Sequence, residues 1–300
     1  MSKIRTVCGD IDENSIGITY SHEHLHADHP SQDLTLTIND DDKTANEVNL
    51  FKKFGGNTII EATVKDMGRN LESLRYISEK TNVNIVASTG NWIDQYFSPE
   101  MALMSVEDLA NLYIKDIIKG EKGVLCGQIK VASSLHVIHP NEEKALKAAC
   151  IAQNVTGAPI WIHHGGSRGL EIIDLLEKNG ADLSKVILGH IDRNPDLYEH
   201  LQFVKRGVNV SVDNLDRVYR YPVQVNIDVI DNLIQHGYED QIFISADFGR
   251  YTYYKSYGGG PGLSYILDCF YPRLIDQLKL SEEQIYKLQV SNVRRVYAQF

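Results

Sequence analysis

Long apolar runs are absent from this 300-residue chain, and none approaches the roughly 20 residues that a membrane-spanning helix requires. The first ten residues, MSKIRTVCGD, contain no apolar segment of the kind a secretory signal needs. Cysteine is sparse. Cys8, Cys126, Cys150 and Cys269 stand far apart with no C-x-x-C pair, which argues against a disulfide framework and for reduced thiols. A cytoplasmic location is the expectation. Positive charge is also short, with 30 Lys and Arg against 40 Asp and Glu for a net charge of −10. Such a surface disfavours nonspecific binding to nucleic acid or an anionic membrane, but leaves room for a local basic pocket. Linkers rich in Pro, Gly or Ser are missing too. Residues 1–300 therefore read as one domain, for which 43% hydrophobic content supplies ample core.

What the chain does contain is a repeated alternation. Short β-branched runs occur at 16–21 (IGITYS), 57–63, 83–88, 124–131, 158–163, 185–190, 207–212 and 241–246. Between them lie stretches with helical spacing of apolar residues, at 43–53, 71–80, 105–119, 142–154, 168–178, 195–205, 223–236 and 281–298. Strands bounded by turn residues and alternating with helices read as βαβ units on a parallel sheet. Eight such units in this length match an α/β fold of the (β/α)8 TIM-barrel type, preceded by a short strand or hairpin over 4–12. An open, doubly wound sheet is the alternative.

The strand ends are polar where buried strands should finish in apolar residues or turns. The first ends in His22 and His24, whose spacing puts both imidazoles on one side of an extended chain, within reach of one ion. The fourth contains Lys130, an ammonium that is costly inside a core strand without a partner. The fifth ends in His163 and His164, the sixth in His190, and the eighth runs into Asp247. Each has an ordinary reading: a histidine satisfied by backbone, a buried ion pair, a carboxylate capping the next segment. Together they place ligand-type residues on five strands, at the end of a barrel where catalytic groups gather.

These residues and their surroundings resemble the phosphotriesterase-like branch of the amidohydrolase superfamily, from about residue 4 to 298. TYSHEH is similar to the family's first-strand metal motif, GNTIIEATVKDMGRN to its second strand and turn, and VNIVASTGNW to its third strand. GQIKVASS resembles the fourth strand, with its carboxylated lysine, TGAPIWIHH the fifth, VILGHIDRNPD the sixth and ISADFGR the eighth. VSNVRRVY resembles the closing helix, with Val293 where the family carries proline. The resemblance implies two divalent ions. His22, His24 and Asp247 would hold the more buried one and His163 and His190 the more exposed one, with Lys130, carboxylated by CO2, bridging both. Zinc suits these ligands first, and manganese, cobalt or nickel also fit. His163 is favoured over His164 by its place after GAPIWI, while Glu23 and His26 are bystanders to the metals. Hydrolysis would proceed by a hydroxide shared between the ions, with Asp247 shuttling its proton to the leaving oxygen.

Specificity falls to residues 247–262, DFGRYTYYKSYGGGPG, where Arg250 and Lys255 stand among tyrosines ahead of a glycine-rich turn. This loop, with GHIDRNPD, is most similar to lactonases acting on phosphorylated sugar lactones, which implies phosphate binding by Arg250 and Tyr253. Lys255 would be a further cation, and Arg217 and Arg220 would add charge from across the mouth. Asp192 and Arg193 would meet substrate hydroxyls or orient a ligand. Trp92, Tyr96 and Phe97 are expected to wall the pocket, Asp66 and Arg69 to serve a local turn, and 27–42 to form a lid or loop. The expected activity is metal-dependent opening of an anionic sugar lactone, a pentono-1,4-lactone phosphate. An acyl-homoserine lactonase or a promiscuous phosphotriesterase is the alternative, amide or deaminase chemistry is less favoured, and a non-catalytic metal-binding barrel is the remote reading. A homodimer would suit the family, and no stretch of sequence marks its interface.

Overall fold

The computed structural model describes residues 2–215, 217 and 219–298. The expected hairpin comes first, as β1 (Lys3–Thr6) and β2 (Gly9–Asp12), antiparallel with Thr6 opposite Gly9. Then follow β3 (Ile18–Glu23), β4 (Gly56–Glu61), β5 (Asn84–Val86), β6 (Ser88–Gly90) and β7 (Gln128–Ala132). The last strands are β8 (Ile160–His163), β9 (Val186–Leu188), β10 (Asn209–Val212) and β11 (Ile242–Ile244). They pair in parallel in the orders β3-β4-β5 and β6-β7-β8-β9-β10-β11. β5 and β6 are one barrel position interrupted at Ala87, whose carbonyl accepts from the N–H of Gly127 on the approach to β7. Eight parallel positions result, and the fold is a TIM barrel.

Helices fill the connections: α1 (Asp41–Lys53), α2 (Leu71–Thr81), α3 (Pro99–Leu103), α4 (Val106–Ile118), α5 (Pro140–Thr156) and α6 (Gly169–Lys178). They continue with α7 (Leu197–Lys205), α8 (Val223–Gln235), α9 (Tyr271–Leu278), α10 (Glu282–Tyr286) and α11 (Asn292–Tyr297). Several start on side-chain caps, as where Ser105 accepts from the N–H of Asp108 and Asp196 from that of Glu199. The sequence reading missed α9. A π-helical turn over Ile266–Phe270 displaces the apolar register just before it, and Pro272 reads as a breaker although it sits in the first helical turn. A second such turn, Lys287–Ser291, divides the expected 281–298 helix into α10 and α11. Among the described residues, no helix is long and apolar enough to cross a membrane.

Side chains, not a strand ladder, close the barrel between β11 and β3. The Ser245 hydroxyl accepts the His22 N–H at 3.0 Å and donates to Glu23 Oε1 at 2.7 Å. Glu23 also accepts the N–H groups of Ala246 (2.9 Å) and Phe248 (3.0 Å), and the Asp247 N–H reaches the His22 carbonyl at 3.2 Å. Strand alternation then sorts the two faces. On β8, Ile160 and Ile162 pack outward in the helix layer, while Trp161 belongs to the barrel interior. That interior continues through Ile60, Val86, Ile187 and Phe243 to a base of Ile4, Val290, Val293, Val296 and Tyr297. Trp161 forms the floor of the upper half, its ring 3.9 Å from that of His22. Residue 189 must be glycine, because a Cβ there would lie 2.0 Å from the Trp161 ring.

Candidate active site

Six side chains converge above Trp161. His22 Nε2 and His24 Nε2 lie 3.5 and 3.3 Å from Asp247 Oδ1. Donors bonded to one ion at about 2.1 Å and tetrahedral angles stand about 3.4 Å apart, so this trio has the spacing of a coordination face. Lys130 Nζ is 3.2 Å from His22 Nε2, and His190 Nε2 is 2.9 Å from His163 Nδ1. The strand register brings them together. Lys130 faces inward on β7, and His163 pairs with Ala132 at the end of β8. His190 and Asp247 occupy left-handed turns just past their strands, with φ of 59° and 54°, a conformation unusual for residues with a side chain and one that aims them back over the barrel.

Hydrogen bonds set the ring tautomers. Asp213 takes the Nδ1–H of His190 on Oδ1 (2.7 Å) and that of His22 on Oδ2 (3.1 Å). The Thr63 hydroxyl donates to Glu61 at 2.5 Å and so accepts from His24 Nδ1 at 2.8 Å. All three rings therefore present an Nε2 lone pair to the centre, the form a metal requires. Burial pushes the carboxyls of Glu23 and Asp213 up to about 8 and that of Glu61 up to about 7. This many buried acids around neutral imidazoles is the environment that cations within the centre would compensate. Burial likewise pushes Lys130 down to about 8, which raises the share of free amine, the form that can add CO2. The donor set thus fits a binuclear centre with a carboxylated lysine.

Over these groups opens a cavity of about 420 Å3, lined also by Arg193, Arg217, Arg220 and Arg250. Arg217 donates to the Asp247 carbonyl at 2.7 Å, and its guanidinium lies 4.4 Å from the centre of the Tyr253 ring. Arg193 approaches His163 Nε2 at 3.2 Å and Asp247 Oδ2 at 3.6 Å. Arg250 lines the cavity with its charge compensated, since it donates to Asp33 at 2.5 Å and to Thr35. Trp92 and Tyr96 wall the cavity, and residues of the 27–42 segment, among them His29, Ser31 and Asp33, form its rim.

Other expectations need correction. Lys255 is not at the mouth. Residues 255–257 turn over α1, Lys255 donates to Ser264 at 3.1 Å, and the Tyr257 hydroxyl donates to the Asp40 carbonyl. Asp192 is fully buried and accepts from the Asn214 N–H (2.9 Å) and the Asn226 side chain (2.7 Å), so it cannot meet substrate hydroxyls. Of its two expected roles the orienting one fits, since the Asn214 side chain bonds both Asp192 (3.0 Å) and the Asp213 that holds His190 (3.2 Å). Phe97 packs against the core, away from the cavity wall. Asp66 and Arg69 do not pair with each other. Asp66 accepts from the Trp92 N–H (2.9 Å), while Arg69 donates to the Ser88 carbonyl and to Asp116. His164 follows His163 by one residue, so it faces outward against Phe203. His26 is held by Asp41 at 2.8 Å, outside the cavity lining.

Asp213 is the residue that sequence reasoning missed. Its signal was there, a carboxylate directly after the run ending at 212, at the same strand end as the others. Thr63 and Glu61 were missed as well, and a threonine and a glutamate finishing one strand carry no distinctive pattern.

The sequence profile described as the phosphotriesterase family matches residues 2–297. The chain is 28% identical to an N-acetyltaurine hydrolase from Danio rerio, over 98% of this chain and 97% of that protein. It superposes on the crystal structure of a lactonase from Listeria monocytogenes with a TM-score of 0.95 and 32% identity, covering 99% of both chains. The phosphotriesterase homology protein of Escherichia coli, crystallised with phosphate in its active site, gives a TM-score of 0.91 and 30% identity over 96% of this chain and 100% of the other. With the profile spanning nearly its whole length, the chain is a hydrolase that belongs to the phosphotriesterase family.

Proposed function

We propose that the protein is a binuclear-metal lactonase whose substrate carries an anionic group, best represented by a phosphorylated sugar lactone. The observation that carries this reading is one cavity in which His24, Lys130, His163 and Asp247 lie beneath four arginines, with His22 and His190 buried directly against them. His22, His24 and Asp247 would hold one ion, His163 and His190 the other, with the Lys130 carbamate between them. Zinc suits this donor set first. Two divalent ions seated there supply Lewis acidity and a water acidic enough to attack near neutral pH.

The chain's own groups perform the remaining tasks. Burial opposes charge on Asp247, but the groups around it, the Arg217 guanidinium among them, outweigh it and hold the carboxyl well below its usual range. Asp247 is therefore ionised near neutrality. It takes the proton of the attacking water and returns it to the ring oxygen as the acyl bond opens, leaving a hydroxy acid. Arginines on the loops after β9, β10 and β11 draw in the anion and hold it clear of the metals. The similarity to the Listeria lactonase and to an Escherichia coli relative holding phosphate supports this reading.

A second reading has support of its own. Several curated relatives that match nearly the whole chain are N-acetyltaurine hydrolases, whose named substrate is an amide tethered to a sulfonate. A carbonyl at the metals and a tetrahedral anion on the arginines describe both substrates. The test is a panel: pentonolactone 5-phosphates, their unphosphorylated forms, acyl-homoserine lactones and N-acetyltaurine. At least a tenfold preference in kcat/KM for a phosphorylated lactone is expected, falling several-fold in Arg250→Ala. A smaller preference removes the phosphate assignment, and turnover of N-acetyltaurine alone moves the function to the amide.

A further inference from the structure

A second cleft, of about 390 Å3, opens beside His163 and shares only His163, Arg193 and Arg220 with the cavity above the metal donors. What the cleft has of its own is neutral: Ser133 and Ser134 after β7, Gly165 and Gly166 after β8, and an apolar side made by Ile93 and Leu135. Ser133 is fully buried and its N–H donates to the His163 carbonyl at 2.9 Å, yet its hydroxyl finds no partner among the described residues. The N–H groups of Gly165 and Gly166 likewise donate to no group among the described residues. The loop that carries Ser133 is rigid. Glu142 accepts from the Ser134 N–H (3.0 Å), the Ser134 hydroxyl (2.5 Å) and the His139 N–H (2.9 Å). Gly165 packs so tightly that a Cβ would stand 2.7 Å from the Leu135 nitrogen. A buried hydroxyl without a partner is costly unless a ligand completes it, and the half-buried amides of Gly165 and Gly166 open into the same cleft.

We infer that this cleft is a subsite for the hydroxyl-bearing carbons next to the scissile carbonyl. Neutral donors opposite an apolar wall match the hydroxyls and the C–H face of a sugar ring, whereas an anion is better served by the cationic lobe that Arg217 and Arg250 line. With the carbonyl beside His163 and the anion in that lobe, the carbon α to the carbonyl enters the cleft, and its hydroxyl meets Ser133 and the Gly165–Gly166 amides. This assignment rests on the lactonase reading. It makes Ser133 the residue that selects for an α-hydroxyl.

Two measurements on the metal-loaded enzyme test it. Wild type should prefer a phosphorylated lactone over its 2-deoxy counterpart at least tenfold in kcat/KM, because a site built around a hydroxyl rejects the analogue that lacks it. Ser133→Ala should reduce that preference below threefold, and Ser133→Thr, which keeps a hydroxyl, should retain most of it. Independently of turnover, titration calorimetry should show glycerate binding at least fivefold more tightly than 3-hydroxypropionate to wild type, and about equally to Ser133→Ala. Equal handling of the two lactones by wild type overturns the subsite and leaves the lactonase reading standing. If no lactone is turned over, the lactonase reading fails and calorimetry alone decides the cleft, with equal affinity for the two acids rejecting it.

Discussion

The floor of the site and its rim carry similar charges but hold them differently. On the floor, His22, His190 and Asp213 are completely buried, each on or directly after a strand, and each ring nitrogen turned away from the centre already has a partner. On the rim, Arg250 and Asp33 pair across two loops with side chains 37% and 43% exposed. In a buried setting a lost partner leaves an uncompensated polar group. In water the same loss is screened, and exposed pairs contribute little. The floor is thus a fixed frame, while on the rim Arg250 would be able to exchange Asp33 for the anion of the proposed substrate.

Asp247→Asn should produce the largest effect, because it removes the proposed proton acceptor and keeps the shape. Turnover is expected to fall roughly 10²–10⁴-fold while metal content, measured by atomic emission, stays close to that of wild type; near wild-type turnover would eliminate the shuttle. Next comes a matched pair, Asp213→Asn on the floor against Asp33→Asn on the rim. Chelator competition should show metal affinity weakened about 10–100-fold in the first and changed less than about twofold in the second. Equal losses would erase the distinction between the regions. The smallest effect concerns a partly buried acid outside both. Burial pushes Asp66 up to about 6, so the native state holds an extra proton between about pH 4 and 6 and loses stability as pH rises through that window. Asp66→Asn, which cannot titrate, should gain on wild type with rising pH, by on the order of 2–3 kcal/mol at most above pH 7. Denaturant unfolding at pH 4.5 and 7.5 measures this, and a difference that does not grow with pH rejects it.

The same contrast explains what was legible in the sequence. Strand alternation and a common strand end are local patterns, so His22, His24, Lys130, His163, His190 and Asp247 could be read one strand at a time. Parity also separates His163 from His164 once the inward face of β8 is known. Loop residues obey no period. Lys255 looked like a second cation beside Arg250, but its direction is set by α1, which lies some 200 residues earlier in the chain. Asp192 looked exposed because it follows a strand, and only the fold shows Asn214 and Asn226 closing over it. Asp213 was passed over because it touches no substrate-like pattern, and its role exists only where His22 and His190 meet.

The seam between the first and last barrel strands gives the site a place in time. Ser245 follows His22 by 223 residues, and Glu23 waits for Ser245, Ala246 and Phe248 before its carboxylate is satisfied. A chain emerging from the ribosome N-terminus first carries five of the six ligand-type side chains long before Asp247 is made. A chain that stops short of β11 can form neither the seam nor the His22–His24–Asp247 face. An ion held by that face would therefore be bound only after barrel closure, and its loading would report complete synthesis and folding.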